Sequence, residues 1–284
     1  MAESRALPAL AALVRQRDPD RYLTALFAPD DRRDGLFALG AFNFEVAKTR
    51  ESVTEPMLGQ IRLQWWRDAV EEIYAEKPVR RHETAQALAD AVRRYGLTRY
   101  HIDRIIDARE LDLTDDPPRT LAVLERYCED TAARLLWLAL EVLGVRDSAA
   151  AVEAGREVGV AWALTGLIRA IPFHARDKRL YIPVDLAADA DLHTGDLFEL
   201  RPSAPLAKVV GRLRERAEAH LDAARAKAAD VPAAARPALL LGVLVDGYLA
   251  RIRRAGDNVF DPSLGRPDGL KTVRLSWAAF RGRY

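Results

Sequence analysis

Residues 158–183 read Val158-Gly-Val-Ala-Trp-Ala-Leu-Thr-Gly-Leu-Ile-Arg-Ala-Ile-Pro-Phe-His-Ala-Arg-Asp-Lys-Arg-Leu-Tyr-Ile-Pro183. Up to Arg169 the run is apolar apart from Thr165, which predicts a helix with apolar residues on most faces and therefore a buried one. Pro172 lacks the N–H that a helix interior uses, so the helix is expected to end at Arg169 and leave through the proline. A basic loop follows, closed by Arg179-Leu-Tyr181-Ile-Pro183. Outward from this run the periodicity stays helical. Leu206, Val210, Leu213, Ala217, Leu221, Ala224 and Ala228 recur at spacings of three and four, with Arg212, Arg214, Glu215, Arg216 and Glu218 on the other faces. Residues 36–51, 57–75, 84–95, 99–113, 120–143, 152–171 and 237–254 read the same way. Pro29, Pro56, Pro78, Gly96, Pro117-Pro118, Gly144, Pro172 and Pro232 punctuate them. Alternating strand patterns with tight-turn dipeptides are absent. The expected fold class is all-α, with roughly eight to ten helices and no sheet.

The chain of 284 residues is 49% apolar and 30% charged, enough for a sizeable core and unlike a disordered chain. A single domain over residues 1–284 is expected. Lysine plus arginine number 43 against 42 acids, so no general basic character points to nucleic acid. The one cysteine, Cys128, rules out an intrachain disulfide and a multi-cysteine zinc site. It is expected to be a buried small apolar side chain. The first residues, Met-Ala-Glu-Ser-Arg, show no signal pattern. The longest apolar stretches, 135–140 and 238–245, fall short of the ~20 residues that span a bilayer. The expectation is a soluble, cytoplasmic chain, at most peripheral to the inner membrane.

Charge is unevenly spread. Residues 101–130 hold nine acids and four bases, net −5, and residues 251–284 hold eight bases and three acids, net +5. Two readings follow. The basic C-terminal segment docks on the acidic one, or it faces a partner or anionic lipid with Trp277, Phe280 and Tyr284 as anchors.

Asp30-Asp31-Arg32-Arg33-Asp34 has the DDxxD spacing that can hold Mg²⁺. It follows Pro29, where a helix should begin, so these carboxylates are expected to cap free N–H groups instead. Asp103, Asp107 and Glu110 share a helical face with Arg104 and Arg109 among them, expected to be a solvated, ion-paired face. His82, His101, His174, His193 and His220 have no metal-ligand spacing, and His220 is expected to be a surface or packing residue. Trp65, Trp66 and Trp137 are expected in the core.

The 158–183 run, with its Leu-Thr-x-x-Leu-Ile-Arg core and Arg-x-Tyr-Ile-Pro ending, resembles the squalene/phytoene synthase family. Tyr22-Leu-Thr-Ala-Leu-Phe-Ala-Pro, Arg33, Leu36-Phe-Ala-Leu-Gly-Ala-Phe-Asn43, Trp66-Arg67 and Tyr127-Cys128 follow the family's order from about residue 22 to 185. The resemblance implies an isoprenoid-synthase-like helical domain in which residues 36–48 and 158–171 face each other across a central cavity. It also implies where chemistry should sit, and there the sequence departs. The family's first motif, Asp-Asp-x-x-Asp with an arginine three residues before it, matches Ala41, then Phe44, Glu45 and Lys48. The second, Gln-Leu-Thr-Asn-(x)₂-Arg-Asp-(x)₃-Asp, matches Ala163-Leu-Thr-Gly166, Arg169, Ala170 and His174. Ionising an allylic diphosphate needs several Mg²⁺ ions with carboxylate ligands from two helices, and Glu45 alone cannot assemble them. No catalytic residue and no metal site is therefore expected. Arg169, Arg179, Tyr181 and Lys48 remain candidates for binding a diphosphate or another anion, with helix-end and loop salt bridging as the other reading of the cations.

Residues 41–47, 51–67 and 167–174, with terminal Ser276-Trp277 and Tyr284, resemble one branch of that family. The branch includes the mitochondrial complex I assembly factor with a phytoene-synthase fold and its bacterial relatives. The resemblance implies a non-catalytic protein that assists assembly of respiratory complex I, with a complex I subunit or assembly intermediate as partner and an isoprenoid or diphosphate as a further ligand. The alternative is an active head-to-head prenyltransferase acting on farnesyl or geranylgeranyl diphosphate. No cofactor is expected in the first case; Mg²⁺ belongs only to the second.

Overall fold

In the computed structural model the 158–183 run lies within one long helix, Ala149–Arg176, that passes straight through Pro172. The expected exit at Arg169 does not occur. The proline removes one backbone donor, but Ile171 and Ala175 are buried in the core on either side of it and hold the last turns in helical geometry. The structure describes residues 3–53 and 55–284, with side-chain burial from residue 9 on. Residues 1 and 2 of the N-terminal reading, and Thr54 of the 51–67 string, lie outside the described residues.

The helices are α1 (Glu3–Arg17), α2 (Pro19–Ala25), α3 (Asp30–Ala47), α4 (Pro56–Tyr74), α5 (Glu83–Tyr95), α6 (Arg99–Ala108), α7 (Leu121–Cys128), α8 (Arg134–Val142), α9 (Ala149–Arg176), α10 (Val184–Asp189), α11 (Thr194–Phe198), α12 (Ala204–Ala226), α13 (Arg236–Leu239), α14 (Leu241–Arg254) and α15 (Lys271–Phe280). No strand occurs among the described residues. Local chemistry sets many of the ends. Thr120, Ser148 and Ser203 each accept the N–H of the residue three ahead, opening α7, α9 and α12. Gly96 closes α5 in the left-handed region at φ 62°. The expected 120–143 helix is divided by a π-helical turn, Glu129–Ala133, and the 99–113 helix ends early in a 3₁₀ turn, Leu111–Leu113.

Two hydrophobic cores form. One gathers α7, α9, α12 and α14, the other α1 and α3 to α6. Helix α8 serves both, turning Leu136 and Leu140 to the first and Leu135, Leu138 and Val142 to the second. An all-round apolar helix is stable only when both sides are covered, and here α8 packs on α3 and on α9. A hollow of about 40 Å³ remains where α2, α3, α8 and α14 meet. Helix α9 and the run from Ala233 to Arg254 are long and apolar enough to cross a bilayer by length and composition, yet 50% and 61% of their most apolar windows are buried inside the protein.

Several expectations about single residues are met. Cys128 is buried and free, with burial pushing its thiol pKa far up. Trp66 is in the core, while Trp65 and Trp137 are half-buried against it, Trp137 donating its indole N–H to the Val152 carbonyl. Others need correction. Asp30 and Asp31 make no cap bond, because they sit inside the first turn of α3 after Pro29; they pair with Arg33 and Arg32 and suit the helix dipole. Of the two readings of His220, surface or packing, the second holds, with a polar environment added: it is buried between the carboxylates of Glu157, at 2.5 Å, and Glu125, at 3.3 Å. The basic C-terminal segment does not dock on residues 101–130. Its cations bind Asp20, Glu218, Asp268 and backbone carbonyls, while Arg67, Arg99 and Arg104 neutralise part of the acidic stretch. Tyr284 is no exposed anchor either; it is buried, with its hydroxyl on the Ala224 carbonyl.

Candidate functional site

Ala41, on α3, is fully buried, so nothing at that position reaches a ligand. One and two turns on lie Phe44, Glu45 and Lys48. The Lys48 ammonium is 2.5 Å from the Glu45 carboxylate and 4.9 Å from the Phe44 ring centre. A carboxylate already neutralised by a lysine, beside a ring with no oxygen, is a poor ligand for a hard cation that needs several oxygens. Ala170 contributes no donor. The His174 ring lies 4.6 Å from Tyr181, with its Nδ1 buried and unpartnered; burial, helped by the nearby charge of Arg179, lowers its pKa and favours the neutral ring. Among the described residues no three His, Cys, Asp or Glu side chains converge on a metal position. The donor set does not fit Mg²⁺.

The four cation and tyrosine candidates do not form one site. Arg179 and Tyr181 are taken up by Asp112, a buried residue of the 3₁₀ turn after α6. The Tyr181 and Tyr127 hydroxyls each donate to Asp112 Oδ1 at 2.8 Å. Arg109 reaches Asp112 Oδ2 at 3.3 Å and the Tyr127 hydroxyl at 2.8 Å, and Arg179 donates to the Asp112 carbonyl at 2.8 Å. Burial works against the Arg109 charge, but Tyr127 and Asp112 outweigh it and hold its pKa above the ordinary value. Arg109 is thus a member of an interior network, not of the solvated face expected for it; the 3₁₀ turn bends the chain inward after α6. Asp103, Asp107 and Glu110 do lie on a paired outer face, with Arg99 and Arg67.

Arg169 goes elsewhere. It is exposed on α9, with its guanidinium 3.7 Å from the centre of the Tyr248 ring on α14. Both line an open groove of about 750 Å³, with Arg17, Trp162, Phe173 and Arg176. Arg176 lies over Phe173, and Arg17 over Phe44. These three arginines have no carboxylate partner among the described residues, and each rests on an aromatic face. Of the groove's four acids, Asp20 is neutralised by the Lys271 ammonium at 2.6 Å and accepts the Tyr248 hydroxyl at 2.5 Å, Asp18 pairs with Arg21 at 2.7 Å and Asp268 with Arg274, which leaves Asp261 without a cation among the described residues. The result is a cationic, aromatic-floored groove, suited to an anionic head with an apolar body. Sequence reasoning missed Asp20, Tyr248 and Asp112. Asp20 and Tyr248 are 228 residues apart, and Asp112 sat inside an acidic stretch with nothing to distinguish it.

This is a helical fold in which Phe44, Ala170 and His174 offer no carboxylate and Glu45 is paired with Lys48. Residues 14–280 match the squalene/phytoene synthase family, and the chain belongs to that family. It is 36% identical over 272 residues to "NADH dehydrogenase (ubiquinone) complex I, assembly factor 6" of Rattus norvegicus, covering 96% of this chain and 81% of that protein. It is 29% identical over 206 residues to the presqualene diphosphate synthase of Rhodopseudomonas palustris, covering 72% of each. Squalene synthase HpnC from Alicyclobacillus acidocaldarius shares the fold, with a TM-score of 0.78 at 20% identity over 89% of this chain and 95% of that one.

Proposed function

We propose that this protein assists the assembly of respiratory complex I and does not catalyse prenyl transfer. The likeness to the rat assembly factor extends over nearly the whole chain, whereas that to the presqualene diphosphate synthase is weaker and shorter. The observation that carries the non-catalytic part is the Glu45–Lys48 pair beside Phe44. Leaving-group ionisation needs cations held by free carboxylates, and the one carboxylate left in the first motif is neutralised from within the same helix. A complex I subunit or assembly intermediate is the proposed partner, at the cytoplasmic face of the inner membrane. The groove around Arg169 is proposed as a residual anion site.

Deleting the gene in the source organism should lower assembled complex I and NADH-dependent quinone reduction while squalene, phytoene and their products stay normal. Purified protein given farnesyl or geranylgeranyl diphosphate with Mg²⁺ should release no diphosphate above background. Lost squalene or phytoene with normal complex I in the deletion strain, or turnover in the purified protein, would establish the prenyltransferase reading instead.

A further inference from the structure

Helix α15 is two-faced in an unusual way. Leu275 is fully buried, and Ala278 and Ala279 pack on the core, fixing the helix to the body of the protein. On its outer side stand Leu270, Val273, Trp277 and Phe280, exposed by 64%, 62%, 61% and 82%. Their spacings of three, four and three place them on one stripe. A soluble surface carries scattered apolar residues without meaning, but four large ones in a continuous line mark a surface that meets something apolar.

The surrounding charge says what. Of the three acids of residues 251–284, Asp257 pairs with Arg214 and Asp268 with Arg274, while Asp261 accepts the Ser263 N–H and has no cation within ion-pair distance among the described residues. The arginines are not all so occupied. Arg254 and Arg266 are exposed and share a hollow with Leu270 at one end of the stripe. At the other end Arg281 lies over the Trp277 ring at 5.6 Å, and Arg283 is exposed. None of these four has a carboxylate within ion-pair distance among the described residues. A stripe of leucine, valine, tryptophan and phenylalanine bordered by four unpaired arginines, against the single unpaired carboxylate of Asp261 in the hollow at one end, complements a surface that is anionic at the headgroups and apolar beneath. Trp277 and Phe280 are the stripe's exposed rings, which suits insertion among lipids.

We propose that the outer face of α15 seats this protein on the surface of an anionic lipid bilayer, with Trp277 and Phe280 inserted at the level of the headgroups. The inference stands apart from the assembly role, since lipid vesicles contain no complex I subunit; failure of either leaves the other intact.

The test is co-sedimentation of the full chain with phosphatidylcholine vesicles, with and without about one-third phosphatidylglycerol. Binding is expected on the anionic vesicles, with weaker binding on the neutral ones and loss at high salt. A double Trp277→Ser, Phe280→Ser variant should lower the partition coefficient by at least about tenfold, as two exposed rings lose their apolar contact. Its melting temperature should be unchanged, because neither ring is buried. Arg281→Gln with Arg283→Gln should weaken binding to anionic vesicles and leave neutral ones unaffected. No binding to anionic vesicles, or undiminished binding by the double variant, would overturn the proposal. So would self-association in sedimentation velocity that the double variant abolishes, which would give the stripe to a second copy of the chain.

Discussion

Replacing Asp112 by asparagine tests whether the interior network, rather than ligand binding, accounts for Tyr181. Asparagine keeps the shape and one acceptor. The change removes the charge opposite Arg109 and sets an NH₂ donor against either the two tyrosine hydroxyls or the guanidinium. Breaking a buried pair by removing one partner costs about 3–5 kcal/mol when the remaining charge has no other counter-ion. Here Arg109 keeps the Tyr127 hydroxyl at 2.8 Å and a longer contact to Asn43 at 3.5 Å. Those contacts, and the acceptor that asparagine retains, reduce the expected loss to about 2–4 kcal/mol. Tyr181→Phe removes a single 2.8 Å bond, an expected loss of about 1 kcal/mol. Because both changes act on the same carboxylate, the double variant should lose less than the sum of the two. Urea unfolding followed by far-ultraviolet circular dichroism gives all three values. A loss below about 1 kcal/mol for Asp112→Asn, or full additivity with Tyr181→Phe, would refute the network as a structural unit.

Other consequences concern packing, pH and anion binding. A Cβ on Gly159 would lie 2.5 Å from the Ala133 Cα, so Gly159→Ala should push α9 off the π-helical turn and cost about 2–3 kcal/mol in the same unfolding assay. Burial lowers the His220 pKa, but Glu125 and Glu157 outweigh it and raise it above the ordinary value. The stabilisation His220 contributes should be full below its unfolded pKa of about 6.5 and fade as pH rises through the folded one, and His220→Gln should flatten that part of the stability–pH curve. Burial raises the Glu125 pKa, but His220 and Arg216 together bring it down to about 2; its contribution should be full above the unfolded value of 4.5 and lost as pH falls towards the folded one. Arg169→Ala should weaken inorganic diphosphate binding by about 1–3 kcal/mol in calorimetry without changing stability, whereas Arg179→Ala should lower stability and leave that affinity unchanged. The opposite pattern would return Arg179 to the anion site.

Much of this was legible from single residues and short spacings. The periodicity located α4, α5, α12 and α14 to within a few residues and α3, α6 and α9 with ends off by four to six, because burial of one face imposes a period of three to four wherever a helix packs on a core. Side-chain chemistry was legible too: the side chains of Phe44 and Ala170 carry no oxygen to offer a cation. What failed were ends and partners. Pro172 read as an exit, and tertiary packing on Ile171 and Ala175 overrode it. Residues 270–280 read only as a basic, aromatic segment, because a helix with one face buried and the other exposed cannot be separated from a tail by composition.

The sequence alone determined the helical class and the family likeness. The tertiary structure decided what the surviving polar groups do. Arg179 and Tyr181 close on Asp112, and Arg169 lies over Tyr248 beside two other free arginines. The physical reason is range. Side-chain type and helical period are properties of residues within a turn or two of each other. The charge state and availability of a guanidinium or carboxylate depend on groups that chain folding brings in from 60 to 230 positions away.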